Sequence, residues 1–113
     1  MNTVLPPTSA DVPPHMAWLC GFAGLTGWAY VDANGSIVVC SSLPNEQIEA
    51  YGYLLSVARA AGREAGFDSV REVLFHSKDA RYALFVRSDG SQLHIRAELT
   101  ADWRGLVAAG RDS

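Results

Sequence analysis

The sequence predicts one α+β domain built on a five-stranded antiparallel sheet, with its elements in the order αββαβββα. Three stretches lead to this prediction: a long helical pattern over residues 45–66, an Asn-Gly hairpin over 26–41, and alternating strands from residue 69 onward. The 113 residues suffice for one hydrophobic core. Hydrophobic residues make up 49% of the chain and charged residues 19%, which is typical of a globular protein.

The charge distribution argues against a nucleic-acid partner. The net charge is −3, and all nine cations lie at or after Arg59 without forming a run of like charge. The uncharged segment 12–31 has nearly the length of a membrane span, but two prolines and three glycines interrupt it. The start of the chain has no basic region typical of a signal peptide. We therefore expect no membrane span and a cytoplasmic location.

The first part of the chain divides into a tail and a short helix. Residues 1–13 are rich in proline, serine and threonine, so we expect a flexible Pro-rich tail before a single domain over 14–111. Residues 15–23 favour a short helix that ends before Gly24. Its apolar face would consist of Trp18, Leu19 and Phe22.

The hairpin over 26–41 is the strongest local signal. The turn Asp32-Ala33-Asn34-Gly35 joins two strands, and its Asn-Gly pair is suited to positive φ. The returning strand over 37–40 has no polar position, so we expect both of its faces to be buried. Cys20 and Cys40 are interpreted as buried reduced thiols, and a disulfide between them stays an alternative.

The helix over 45–66 carries more apolar surface than one sheet requires. Ser42 or Asn45 could cap its start, and Gly66 suits its end. Its apolar arc spans about 180° at 100° per residue, whereas a surface helix needs roughly 100°. The arc contains Ile48, Tyr51, Leu54, Leu55, Val57, Ala58, Ala61 and Ala65. The excess predicts a second packing partner, from this chain or another copy, although an Ala-rich core helix would look the same.

Three strands and a helix complete the prediction. The strands cover 69–77, 81–87 and 91–98, and the last one points Leu93, Ile95 and Ala97 inward. Its other face is interpreted as solvated, with the helices covering only one side of the sheet. That face carries Gln92, His94, Arg96 and Glu98. The helix over 100–110 could be capped by Thr100 or Asp102.

No catalytic or metal-binding motif is present in the sequence. His15, His76 and His94 are dispersed, and no HExxH, CxxC, GxSxG or P-loop pattern occurs. No candidate base has an evident orienting partner. We therefore expect a protein that is not an enzyme and needs no cofactor or metal.

The pattern resembles the roadblock family, the dynein light chain roadblock type, and its bacterial relatives. The resemblance extends from Met16 to Gly110. It rests on an apolar strand that enters an Asp-x-x-Gly turn, on an Ala-rich helix and on a strand meander. The corresponding segments are TGWAYVDANGSIVVCSS, EQIEAYGYLLSVARAAGREAG and VREVLFHSKDARYALFVRSDGSQLHI.

The resemblance implies a profilin-like or longin-like sandwich that forms a homodimer or a heterodimer. In such a dimer the two long helices would pair with each other. The strands that follow them would also pair, which would give one continuous ten-stranded sheet. The family role is regulation or scaffolding toward a Ras-like small GTPase, or toward a motor or polarity complex. We expect interface contacts from Tyr51, Leu55, Ala58, Gly62, Val73 and Phe75.

Two other functions remain open at this point. A small-molecule sensor would need an internal pocket between helix and sheet, which tryptophan and tyrosine side chains could line. A profilin-like binder of Pro-rich peptides would instead need Trp18 and Trp103 on one shared aromatic platform.

Overall fold

The computed structural model describes residues 14–67 and 69–113, so the predicted tail 1–13 lies outside the described residues. The elements follow the predicted order, except that the first helix is of the 3₁₀ type. They are a 3₁₀ helix (Pro14–Cys20), β1 (Leu25–Val31), β2 (Ile37–Ser41), α1 (Asn45–Glu64), β3 (Glu72–His76), β4 (Ala80–Val86), β5 (Gln92–Glu98) and α2 (Trp103–Asp112). At seven residues, this first helix is long for a 3₁₀ helix.

The five strands form one antiparallel sheet in the order β2-β1-β5-β4-β3. The last strand in sequence, β5, occupies the centre, because it pairs with β4 through a short turn and with β1 across the sheet. This arrangement leaves β2 and β3 at the two edges.

The turn between β1 and β2 forms where the sequence predicts it. The Asp32 carboxylate accepts hydrogen bonds from the backbone N–H groups of Asn34 and Ser36, both at 2.9 Å. Gly35 adopts a φ of +87°, whereas Asn34 does not adopt positive φ, so only the glycine has the left-handed conformation. The pairing register shifts between Tyr30 and Val31, which is a β-bulge beside the turn.

Helices cover both faces of the sheet, contrary to the expectation of one covered face. On one face, α2 and the 3₁₀ helix close an apolar core. This core contains Met16, Leu19, Trp28, Ala83, Phe85, Leu93, Ile95, Ala97, Leu106 and Val107. On the other face, α1 packs on a smaller cluster. That cluster contains Ala29, Val31, Leu43, Ile48 and Tyr82.

The second covered face also corrects the interpretation of β5. Leu93, Ile95 and Ala97 point into the α2 core as predicted, and all three are 0% exposed. His94, which was expected in solvent, is 0% exposed as well. On the α1 face of β5, His94 is therefore a buried polar side chain, whereas Gln92 and Arg96 are half-buried and only Glu98 is exposed as expected.

Two further expectations are wrong. β2 is an edge strand, and Val38 is 56% exposed, so the strand is not buried on both faces. Cys20 is exposed and Cys40 is half-buried, so the predicted burial of the two thiols is wrong, whereas both cysteines are free, as predicted. Apolar composition alone did not distinguish an edge strand from a central one.

The helix ends follow the sequence in part. The N-cap of α1 is Pro44, which has no side-chain acceptor, so neither Ser42 nor Asn45 caps this helix. Gly66 ends the helix region with a φ of +90°, as expected of a glycine after a C-cap. At α2, the Asp102 carboxylate accepts a hydrogen bond from the Gly105 N–H at 3.1 Å and confirms one of the two predicted caps.

Candidate functional site

The outer flank of α1 is an exposed apolar surface, which we call the α1 stripe and define as Ala50, Leu54, Val57 and Ala61. These positions follow the spacing i, i+4, i+7 and i+11, so they lie along one side of the helix. Leu54 is 40% exposed and Val57 is 48% exposed, and both alanines are exposed. Tyr53, 70% exposed, lies next to the stripe.

The sheet hides only part of the wide apolar arc of α1. Ile48 and Leu55 are buried at 5% and 1% exposure, and they anchor the helix on the sheet. The α1 stripe lies outside this contact. A single chain therefore leaves the second flank uncovered, in agreement with the excess width read from the sequence.

The residues expected at an interface divide into two groups. Tyr51 and Phe75 lie together, with their ring centroids 4.8 Å apart in an edge-to-face arrangement. Tyr51, Ala58, Val73 and Phe75 are half-buried. Because these four keep part of their surface, they remain available to a second copy, and their interface role stays a prediction.

Leu55 and Gly62 make close contacts within their own chain, and their interface role also stays a prediction. Leu55 is almost fully buried and offers no side-chain surface to a partner. A Cβ added at Gly62 would lie 3.0 Å from the Val70 methyl group, so this small residue makes room for the segment that follows α1. The residues predicted to lie at the interface did not include Leu54 and Val57 of the α1 stripe. Their i, i+3 spacing within the apolar arc was the signal that could have identified them.

The β3 edge lies beside the aromatic group that Tyr51 belongs to. β3 pairs with β4, and no other described strand lies on its outer side. Its half-buried side chains alternate between the faces: Phe75 contacts the α1 cluster and Leu74 contacts the α2 core. An edge of this kind presents free backbone donors and acceptors to another strand.

Arg96 fixes the start of α1 against the sheet. Its guanidinium donates to the Thr26 hydroxyl and carbonyl oxygens, each at 2.9 Å. It also donates to the Ser42 carbonyl at 3.0 Å and to the Gln47 side chain at 2.8 Å. Backbone contact is close here, because a Cβ at Gly27 would lie 2.8 Å from the Ser42 oxygen. These bonds hold α1 in a defined position without covering its outer flank.

A buried aromatic and imidazole group supports the middle of α1. Tyr51 stacks on Tyr82 with their centroids 3.6 Å apart, and the Tyr82 hydroxyl lies 2.6 Å from His94 Nδ1. Burial, followed by the nearby Tyr51, raises the pKa of Tyr82, so its hydroxyl stays protonated and donates to Nδ1. His94 Nε2 then donates to Gln92 Oε1 at 3.0 Å. Burial lowers the pKa of His94 to about 4, which keeps the imidazole neutral near pH 7.

Across residues 14–67 and 69–113, no group of three or more His, Cys, Asp or Glu side chains is placed to hold a metal ion. In the same part of the chain, no helix is long and apolar enough to cross a bilayer.

The aromatic platform expected of a profilin-like binder does not form. Trp18 donates its indole N–H to the Ser113 hydroxyl just beyond the end of α2, at 3.0 Å. Trp103 is the first residue of α2, where it contacts His76 and Arg81. A ten-residue helix is about 15 Å long, so the two indoles lie at opposite ends of α2.

A sensor of the expected kind would have a pocket between helix and sheet that tryptophan and tyrosine side chains line. One cavity opens at the end of the sheet, between the last turns of α1 and strands β3 and β4, and its described lining contains no tryptophan or tyrosine.

No protein-family model and no curated relative matches the sequence. Solved structures do match the fold. The Roadblock/LC7 domain from Streptomyces avermitilis has a TM-score of 0.71 at 20% identity, with 89% of both chains covered. MglB from Myxococcus xanthus has a TM-score of 0.70 at 8% identity, covering 98% of this chain and 90% of that one.

A further structure, described as MglB with tetrameric arrangement, has a TM-score of 0.70 at 11% identity. The superposition covers 82% of this chain and 74% of the chain in that structure. The chain therefore has the roadblock fold, and the resemblance read from the sequence is confirmed at the level of the fold.

Proposed function

We propose that this protein is a non-enzymatic, cytoplasmic homodimer that regulates or scaffolds a Ras-like small GTPase, or a motor or polarity complex. The observation that carries the proposal is the exposed α1 stripe together with the open β3 edge. The roadblock fold supports the class of partner, and a neighbour described as tetrameric supports self-association.

The energetics favour covering the α1 stripe. Complete burial of an exposed leucine or valine side chain contributes about 1.5–3 kcal/mol. Leu54 and Val57 are 40% and 48% exposed, so covering each of them in a dimer would contribute about half of that value. A two-fold axis would place the same patch against itself, so one helix flank suffices for both copies. Strand β3 would then add backbone hydrogen bonds between the copies.

The dimer is tested by placing a charge in the stripe. We expect Val57→Glu to yield monomers in light scattering on a sizing column, because a buried carboxylate at the helix contact has no counter-charge. Ser56→Glu is the matched control, since Ser56 is exposed on the same helix away from the stripe. A Val57→Glu protein with the wild-type mass would contradict this interface.

The partner is tested by capture. Immobilised wild-type protein is incubated with purified small GTPases from the source organism, each loaded with GTP or with GDP. We expect one GTPase to be retained with a preference for one nucleotide state. Retention of no GTPase in either state, while light scattering confirms a dimer, would leave the scaffold role without this partner class.

A further inference from the structure

An arginine-lined cleft lies at the end of the sheet away from the α1 N-terminus. Its volume is about 780 Å³, and it is bordered by the ends of α1 and α2, the start of β3 and the β4–β5 turn. Five arginines line it: Arg59, Arg63, Arg71, Arg87 and Arg111. The volume lies within the range of small-molecule sites in proteins, about 300–1,000 Å³.

Positive charge in this arginine cleft exceeds the negative charge that faces it. Among the described residues, Glu72 is the only acidic side chain in the lining, and it is bound by Arg111. The two side chains form a bidentate pair with N–O distances of 2.6 and 2.9 Å. The other four arginines of the described lining do not share in this pair.

Helix-end electrostatics account for only part of this cluster. Arg63 and Arg111 lie in the last turns of α1 and α2, where a cation is favoured by the helix dipole. Arg59 lies one turn earlier, and Arg71 and Arg87 flank strands β3 and β4. Arg87 contacts the imidazole of His15. It also lies near Asp89, whose pKa is lowered first by hydrogen bonds from Ser91 and to a smaller extent by the Arg87 charge. Two arginines of the cleft, Arg59 and Arg71, therefore have no such local explanation.

The cleft also has an apolar part. Phe67 is 68% exposed at its rim, and Val70 and Phe85 contribute to its wall. An exposed phenylalanine beside several guanidinium groups suits a ligand with both a ring and anionic groups.

We propose that the arginine cleft binds a small organic phosphate that carries an aromatic or apolar portion. Guanidinium groups bind phosphate oxygens through paired, charge-assisted hydrogen bonds, which makes arginine the residue best suited to a multiply charged phosphate. Arg59 and Arg71 reach the cleft from different elements, so they can approach one phosphate chain from two directions. The proposal is independent of the proposed dimer.

Calorimetric titration with inorganic pyrophosphate and with ATP as probes tests this site at fixed ionic strength. We expect both to bind, with ATP the tighter because its base can contact Phe67. Arg59→Gln combined with Arg71→Gln should weaken both affinities about tenfold for each guanidinium removed. Arg104→Gln is the matched control, because Arg104 is exposed on α2 outside the lining.

Three results would overturn the proposal. One is that neither pyrophosphate nor ATP gives a heat of binding. Another is that the double variant binds both probes with the wild-type affinity. The third is binding of an acidic peptide with no binding of pyrophosphate or ATP. Repeating the titration on Val57→Glu separates this site from the dimer, since binding by that variant supports the cleft whatever its mass.

Discussion

The two faces of the sheet are closed by different kinds of interaction. Beneath α2, the contact is apolar: Leu93, Ile95 and Leu106 are all 0% exposed. Beneath α1, a smaller apolar cluster adjoins hydrogen-bonded polar groups, with His94 bound to Tyr82 and Arg96 bound to the segment before α1.

This difference suggests that one face of the sheet stabilises the fold and that the other face leaves a surface for binding a second protein. The α2 face is complete within one chain, so it is expected to supply most of the free energy of folding. The α1 face fixes the helix by directional bonds and leaves the α1 stripe uncovered. A helix held in this way can keep an apolar flank for a second protein without losing its position.

The largest predicted effect concerns the α2 face. Leu106→Ala should lower the free energy of unfolding by about 3 kcal/mol, because it opens a cavity among fully buried side chains. Leu54→Ala is the matched substitution on the α1 stripe, measured by urea unfolding at a concentration where the chain is monomeric. Equal losses at the two positions would mean that the faces are closed in the same way.

A pH effect of similar size should come from the α1 face. The pKa of His94 falls from 6.5 to about 4 on folding because the imidazole is buried. Between these pH values the unfolded chain binds a proton that the folded chain does not. Stability should therefore be full above pH 6.5 and decrease by about 3 kcal/mol as the pH falls toward 4.

Urea unfolding at pH 7.5 and 4.5 measures this component. In His94→Gln, which keeps an acceptor for the Tyr82 hydroxyl, the difference between the two pH values should shrink by nearly that amount. An identical pH dependence in the variant would show that His94 is not the group responsible.

A smaller effect is expected at the start of α1. Arg96→Lys should cost about 2 kcal/mol, because one ammonium group cannot reach the Thr26, Ser42 and Gln47 acceptors together. Gln47→Ala removes only one of these bonds and should cost less. If urea unfolding gives the same loss for both variants, the guanidinium fork contributes no more than its bond to Gln47.

The smallest effect concerns the ion pair between Arg111 of α2 and Glu72 of β3. Glu72→Gln should change the free energy of unfolding by at most about 0.5 kcal/mol, since the Arg111 side chain is 60% exposed. Thermal unfolding in low and high salt measures this contribution. A loss comparable to that of Leu106→Ala would place a main stabilising contact outside both cores.

Local sequence signals predicted most of the fold. Asp32 and Gly35 specified the first turn, and the alternation of Leu93, Ile95 and Ala97 specified the inward face of β5. The burial of His94 was missed, because its partner Tyr82 lies on another strand and a polar alternation looks the same in solvent. The candidate site was predicted only in part. The sequence showed the wide apolar arc of α1, but it could not show which side of that arc packs on the sheet, because this depends on the tertiary packing around Leu55.

The bulge at Tyr30 and Val31 has a consequence for higher assembly. A dimer joined through β3 would keep β2 at both ends of its combined sheet, where a third copy could add and start a filament. β2 has only five residues, and the bulge places the unpaired Val38 in β2 itself, which increases the twist of this strand beside the turn. Short, twisted ends are how natural sheets discourage further strand addition, so assembly through strands should terminate at two copies.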